Sequence, residues 1–250
     1  MVAAVGIYVV LAFLASGVLL GAQSNSGLDP AALTLPQFGP AIAAVVTALI
    51  FRRRLRDRFP AAVSSRRAGR DLLILLAGCV LLIAVVFGLL WGDGTSVHGP
   101  QAVGGIPFAL FVVLQLVGAA GEEAGWRGFL QPVLESRYGR LLAVPITGIV
   151  WALWHVQAFT QGPVVASSFL ASTVAFAYLL GWSANGSVWQ RISIASIGHW
   201  AVNVELYLAV GDETQARPQV IYTAVGAVVA AVAAVGLHAL GRRPAYSPTG

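Results

Sequence analysis

The stretch Glu122-Glu123-Ala124-Gly125-Trp126-Arg127 sets two acids and one base inside an otherwise apolar run. On a helix of about 3.6 residues per turn, Glu123 and Arg127 share a face, while Glu122 lies about 140 degrees round from Arg127. One carboxylate is thereby paired and the other left free. Glu123 with Arg127 reads as a structural clamp, and Glu122, in a poorly hydrated place, as a candidate general base. The alternative is that all three form a buried ion network or sit at a wetted membrane edge. His155 follows Trp151-Ala152-Leu153-Trp154, so the Trp151 indole is on its face and can pack or orient the imidazole. His199-Trp200-Ala201-Val202-Asn203 again puts two polar side chains four apart. Asn203 is a poor metal ligand but a good amide donor, which suits an oxyanion better than a cation.

The elements that must position these groups are membrane helices. The chain has 250 residues, of which 58% are hydrophobic and 10% charged, and a mean hydropathy of +0.80. A soluble domain carries about a quarter charged residues. All 15 basic residues are Arg; against ten acids they give net +5, but they flank apolar runs instead of forming a face, so a nucleic-acid partner is not expected. The single cysteine, Cys79, sits in an apolar run and reads as an inert core thiol, with no disulfide framework.

Each bilayer-crossing helix needs about 20 apolar residues. Eight such stretches are expected: Val2 to Ala22, Leu33 to Phe51, Leu72 to Trp91, Val103 to Glu122, Leu141 to Phe159, Val164 to Trp182, Ile192 to Val210 and Gln219 to Leu240. The first lacks a basic segment before its apolar run, which predicts a retained helix instead of a cleaved signal. The expected fold is all-α, a polytopic membrane protein forming one transmembrane domain over 1–250, with the motif-bearing core at about 103–210. Short cytoplasmic loops collect positive charge. Placing loop 52–70, with eight arginines, in the cytoplasm also puts Arg127, Arg137, Arg140, Arg191, Arg242 and Arg243 inside, 14 of 15, and leaves Arg217 outside beside Asp212 and Glu213. Both termini are then cytoplasmic, and the Arg-rich loop touches anionic headgroups.

An ionisable residue at mid-membrane costs about 2.5 to 3.5 kcal/mol on insertion scales. Those inside spans are therefore the functional candidates. Glu122 and Glu123 fall at the inner end of span four, His155 in span five, and His199 with Asn203 and Glu205 in span seven. Glu205 lies off the His199 face and reads as an edge or structural residue. His98 and His238 have no polar companion in the sequence and are assigned no role. Spans four, five and seven converging would form a polar pocket open to the cytoplasmic side. At about 1.5 Å per residue His199 lies roughly 10 Å from its helix start and His155 about 21 Å, or about 15 Å if Pro145 marks a later start.

These three motifs, in order and on separate spans, resemble those of the CPBP family, the CAAX-protease and bacteriocin-processing membrane proteases also called the Abi family. The family patterns are Glu-Glu-x-x-x-Arg, Phe-x-x-x-His and His-x-x-x-Asn. The first stands here as Glu122 to Arg127 and the third as His199 to Asn203; in the second, Trp151 replaces Phe ahead of His155, a change expected at a packing aromatic.

The resemblance implies an intramembrane endopeptidase in which Glu122 and His155 activate water and His199 with Asn203 stabilise the oxyanion, supported by Glu123, Arg127 and Trp151. No cofactor is expected, since there is no His-Glu-x-x-His pair; a zinc-dependent version holding the metal on Glu122, His155 and His199 is the alternative. The implied substrate is a membrane-associated protein or peptide. The Arg-only, Ala- and Val-rich composition fits a high-GC bacterium, where a prenylated substrate is not expected. The other class of reading is a non-enzymatic immunity protein or scaffold; a transporter would show broken helices or paired repeats.

Overall fold

The computed structural model describes residues 1–241; Arg242 and Arg243 lie outside the described residues. Ten α-helices follow one another: α1 Val2–Gln23, α2 Gly39–Ile50, α3 Arg52–Leu55, α4 Ser65–Gly92, α5 Phe108–Gly125, α6 Gln131–Tyr138, α7 Arg140–Trp154, α8 Pro163–Ser183, α9 Val188–Val210 and α10 Gln219–Leu240. Among the described residues there is no β-strand, only an isolated bridge between Val103 and Ile106. The chain is an all-α polytopic membrane protein. Each of the eight expected spans corresponds to a helix, but they differ in kind. Five are long and apolar enough to cross a membrane: α1, α4, the continuous run Phe108–Tyr138, α8 and α10. The runs Leu35–Ile50 and Arg140–Trp154 are shorter, and α9, expected as the seventh span, is 23 residues long but is not among the five by length and composition, because Gln190, Arg191, His199, Asn203 and Glu205 lower its hydropathy. The fifth expected span, Leu141 to Phe159, ends early because the His155 side chain takes the Trp151 carbonyl that the next helical amide would have used.

Local signals set the boundaries. Ser64 caps α4, and Ser187 with Gln190 forms a capping box at the start of α9. Gly139, at φ 73°, separates α6 from α7, a left-handed turn that glycine adopts without steric cost. Pro145 lies inside α7, which begins at Arg140, so it does not mark a later start. A π-helical turn, Trp126–Leu130, joins α5 to α6 and falls on the Glu-Glu-x-x-x-Arg segment. Such insertions recur at functional sites. Because the helix runs on to Tyr138, Glu122 and Glu123 sit near its middle and not at the inner end of a span.

Helix α5 packs between α2 and α9, α4 contacts α9 and α10, and α8 lies against α7 and α10. Small residues permit the closest approaches. At Gly121 a methyl group would stand 2.8 Å from Phe38 Cδ1, and Gly118 and Gly125 leave similar room for Gln37 and Pro40. Gly118 and Gly121 thus admit the 3-10 turn Leu35–Phe38 that precedes α2, and Gly125 admits the first turn of α2. That turn is tied to the bundle by Ser16 Oγ, which donates to the Pro36 carbonyl at 3.0 Å and accepts from Trp154 Nε1 at 2.9 Å.

Candidate active site

The three sequence motifs meet in space. Glu123 Oε1 accepts from Arg127 at 2.8 Å, so the expected clamp is present, and both side chains are fully buried. The same oxygen accepts from His199 Nδ1 at 2.9 Å. Arg127 also lies over the Trp151 ring, 4.4 Å from its centroid, while its Nε and one terminal nitrogen have no hydrogen-bond partner among the described residues. The guanidinium therefore answers two motifs at once, through a carboxylate and through an aromatic face.

Glu122 is 2% exposed and is not free. Its Oε1 accepts from Gln37 Nε2 at 3.1 Å and its Oε2 from Trp151 Nε1 at 2.7 Å. Trp151 is thus more than the packing aromatic expected from the sequence, because its indole N–H, which a Phe lacks, holds the carboxylate. A carboxylate offers about four lone-pair positions, so these two bonds leave capacity for water. His155 Nδ1 stands 3.0 Å from the Trp151 carbonyl, which can only accept. The proton is therefore on Nδ1 and the Nε2 lone pair is available in neutral His155. The imidazole is boxed edge-on by Trp154 and Phe169. Asn203 Nδ2 donates to Gln115 Oε1 at 3.1 Å, and Gln115 in turn donates to the Ala32 carbonyl at 2.9 Å, leaving Asn203 a second N–H.

A cavity of about 320 Å³ brings these groups together: Gln37, Gln115, Trp151, His155, His199 and Asn203 line it, with Phe111, Phe169, Phe176 and Leu206 as apolar walls. Glu122 lies just behind Gln37 and Trp151, within electrostatic range of both imidazoles. The site is built, as expected, between the fourth, fifth and seventh spans, here α5, α7 and α9. Its mouth differs from expectation. Pro30, Ala31 and Thr34 from the loop after α1 and Asp212, Thr214 and Gln215 from the loop before α10 surround it. These loops are at the end opposite the Arg-rich loop 52–70, so the cavity does not open on that side. His155 terminates α7 toward the mouth, and the buried π turn lies toward the Arg-rich end.

Two amides carry contacts that a survey of ionisable residues passes over. Gln37, between Pro36 and Pro40, and Gln115, in an uncharged run, are polar residues inside apolar stretches, and that was their available signal. His98 and His238 do have polar companions. His98 Nε2 is 3.1 Å from Tyr207 Oη; His238 Nε2 is 3.1 Å from Ser183 Oγ, and its Nδ1 is 3.7 Å from Asp71. These partners are far away in sequence and could not be inferred from spacing. Glu205 does not line the cavity; it is half-buried, and its Oε2 has no hydrogen-bond partner among the described residues. Cys79 is buried, with Sγ 3.8 Å from the Gly198 carbonyl.

Glu122 is turned toward two N–H donors, and among the described residues no group of three or more His, Cys, Asp or Glu could hold a metal ion.

Residues 104–204 match the Rce1-like family, described as type II CAAX prenyl endopeptidase Rce1-like. Among similar proteins, the CAAX prenyl protease 2 of Methanococcus maripaludis is 28% identical over 157 residues, covering 56% of this chain and 57% of its own. Lysostaphin resistance protein A of Staphylococcus aureus is 24% identical over 254 residues, covering 97% of this chain and 58% of its own. Its Staphylococcus epidermidis counterpart is 21% identical over 210 residues, covering 83% and 55%. The chain spans a little over half the length of these curated relatives.

Proposed function

We propose that this chain, whose residues 104–204 match the Rce1-like family, is an intramembrane endopeptidase of the CPBP type acting on a membrane-associated protein or peptide. The observation that carries the reading is a buried carboxylate, Glu122, anchored at both oxygens beside a cavity that His155, His199 and Asn203 share. In the proposed reaction, water bound between Glu122 and His155 Nε2 loses a proton to Glu122 as its oxygen bonds to the scissile carbonyl carbon. The carbonyl oxygen becomes an oxyanion that accepts from the second N–H of Asn203 and from His199 Nε2. Because His199 Nδ1 already donates to Glu123, donation from Nε2 requires the imidazolium, for which Glu123 is the counter-charge. The C–N bond then breaks and the proton held by Glu122 passes to the departing amine. Metal-independent hydrolysis is the version these contacts support.

The test is a cleavage assay on the purified protein with a library of membrane-anchored peptides, comparing wild type with Glu122→Gln. Cutting that disappears in the variant supports the proposal. A second reading, a non-enzymatic immunity protein or scaffold, is favoured by one observation: the relatives that align with most of the chain are named for resistance. Wild-type protein that cuts no peptide while retaining its fold would favour that reading.

A further inference from the structure

The cavity and the chain's charge lie at opposite ends of the bundle. Arg52, Arg53, Arg54, Arg56 and Arg58 precede α4, and Arg66, Arg67 and Arg70 occupy its first turns; all eight are exposed. At the cavity end the connecting loops carry Asp29, Asp93, Asp212 and Glu213 against Arg217 alone. An excess of exposed arginine in a short loop marks the cytoplasmic face. The mouth, built from the loops after α1 and before α10, then faces the other way.

The inner end of the cavity is closed. Below Glu122 the π turn buries Trp126, Arg127, Phe129 and Leu130. Beyond it Gln131 donates to Glu135 at 2.8 Å, and Glu135 also pairs with Arg191 at 2.8 Å and Arg140 at 3.0 Å. A peptide approaching from the Arg-rich side would have to displace this ion-paired layer. From the opposite side it meets Thr214 and Gln215, one carboxylate, Asp212, and then aromatic walls.

From this opposition of mouth and arginines we infer that the site serves the extracytoplasmic face, and that its substrate is a peptide segment of an exported, membrane-associated chain, uncharged or basic near the scissile bond. The inference rests on the proteolytic reading of the cavity and adds the side and the charge of the substrate. Among the described residues the lining contains Asp212 and no Arg or Lys, so an acidic segment meets repulsion at the mouth while a basic one is attracted.

Two measurements on the full chain in intact bacterial cells test it. Single cysteines are introduced as Gln215→Cys at the mouth and Arg66→Cys at the opposite end, with wild type as the control for buried Cys79. A membrane-impermeant maleimide should label the first in intact cells and the second only after permeabilisation. The reverse pattern overturns the inference whether or not any peptide is cut. In parallel, one peptide sequence is anchored by a transmembrane helix so that it is displayed on either the outer or the inner face, in basic and acidic versions. The expected result is cleavage of the outer, basic version with loss of cleavage for the inner one. Preferential cutting of the inner display, or of the acidic version, overturns the inference while leaving the protease reading intact. Labelling of Gln215→Cys from outside with no peptide cut on either face contradicts the protease reading and, with it, the substrate assignment, leaving only the orientation standing.

Discussion

Glu123 Oε1 accepts from His199 Nδ1 at 2.9 Å, although the two residues are 76 positions apart and belong to different motifs. The carboxylate that reads from spacing as half of a local clamp is also the group that fixes the orientation of the third-motif imidazole. Glu123→Gln should therefore reduce turnover roughly 10- to 100-fold, the loss expected for one charged hydrogen bond, even in protein that folds. Steady-state kinetics on the purified variant checks this; an unchanged kcat would return Glu123 to a purely structural role.

Arg127 has the opposite profile. Its removal leaves Glu123 buried with, among the described residues, only the bond from His199, a type of change that costs about 3 to 5 kcal/mol. Arg127→Ala should accumulate poorly or melt at lower temperature, whereas Glu122→Gln, whose amide can still meet the donors of Gln37 or Trp151 through its oxygen, should accumulate normally. Equal thermal stability of the two would remove the argument.

Gln37 lies outside the three motifs yet holds Glu122. Gln37→Ala should lower kcat by about tenfold or more with little change in folding, again on the scale of one bond to a charged group. Gln37→Glu should be worse than Gln37→Ala, because it sets a second carboxylate against Glu122. Comparing kcat and melting temperature of the pair checks this; Gln37→Glu more active than Gln37→Ala contradicts it.

His238 was without visible company in the sequence, but in the fold it sits 3% exposed between Ser183 and Asp71. Its truncation leaves buried polar groups unsatisfied, which costs about 1 to 3 kcal/mol. His238→Ala should melt earlier while its kcat at permissive temperature stays at the wild-type value. A lowered kcat at full stability would instead tie this inner cluster to the reaction.

The difference between what could and could not be read from the sequence has a physical basis. Apolar length reveals a helix, and four-residue spacing reveals which side chains share its face, so the Glu123 and Arg127 pair and the convergence of α5, α7 and α9 were both legible. Contacts between helices were not. Gln37 reaches Glu122 only because Gly118, Gly121 and Gly125 leave room on α5, and the Trp151 indole meets the same carboxylate only once α7 is docked. The mouth is formed by loops far apart in sequence, after α1 and before α10, which no local spacing brings together. His155 stops α7 by occupying the Trp151 carbonyl, an event that the apolar run on both sides conceals. Arg127 and Arg191, counted as topology signals, are buried counter-ions, so the exposed arginines of loop 52–70 carry that signal.

Metal independence is tested by chelation. Exhaustive chelation should leave the rate unchanged, and elemental analysis should find substoichiometric zinc. Loss of activity restored by added zinc would make Glu122, His155 and His199 ligands in place of the proposed water-activating and oxyanion groups.

The most direct test of the account is the single-turnover rate of peptide cleavage by Glu122→Gln, with His155→Ala and Asn203→Ala measured alongside. Glu122→Gln keeps the shape and removes the base, so a loss of about 100- to 10,000-fold is expected. Asn203→Ala, lacking an oxyanion donor, should lose about 100- to 1,000-fold, mainly in turnover. Wild-type rates in both Glu122→Gln and His155→Ala would contradict the mechanism.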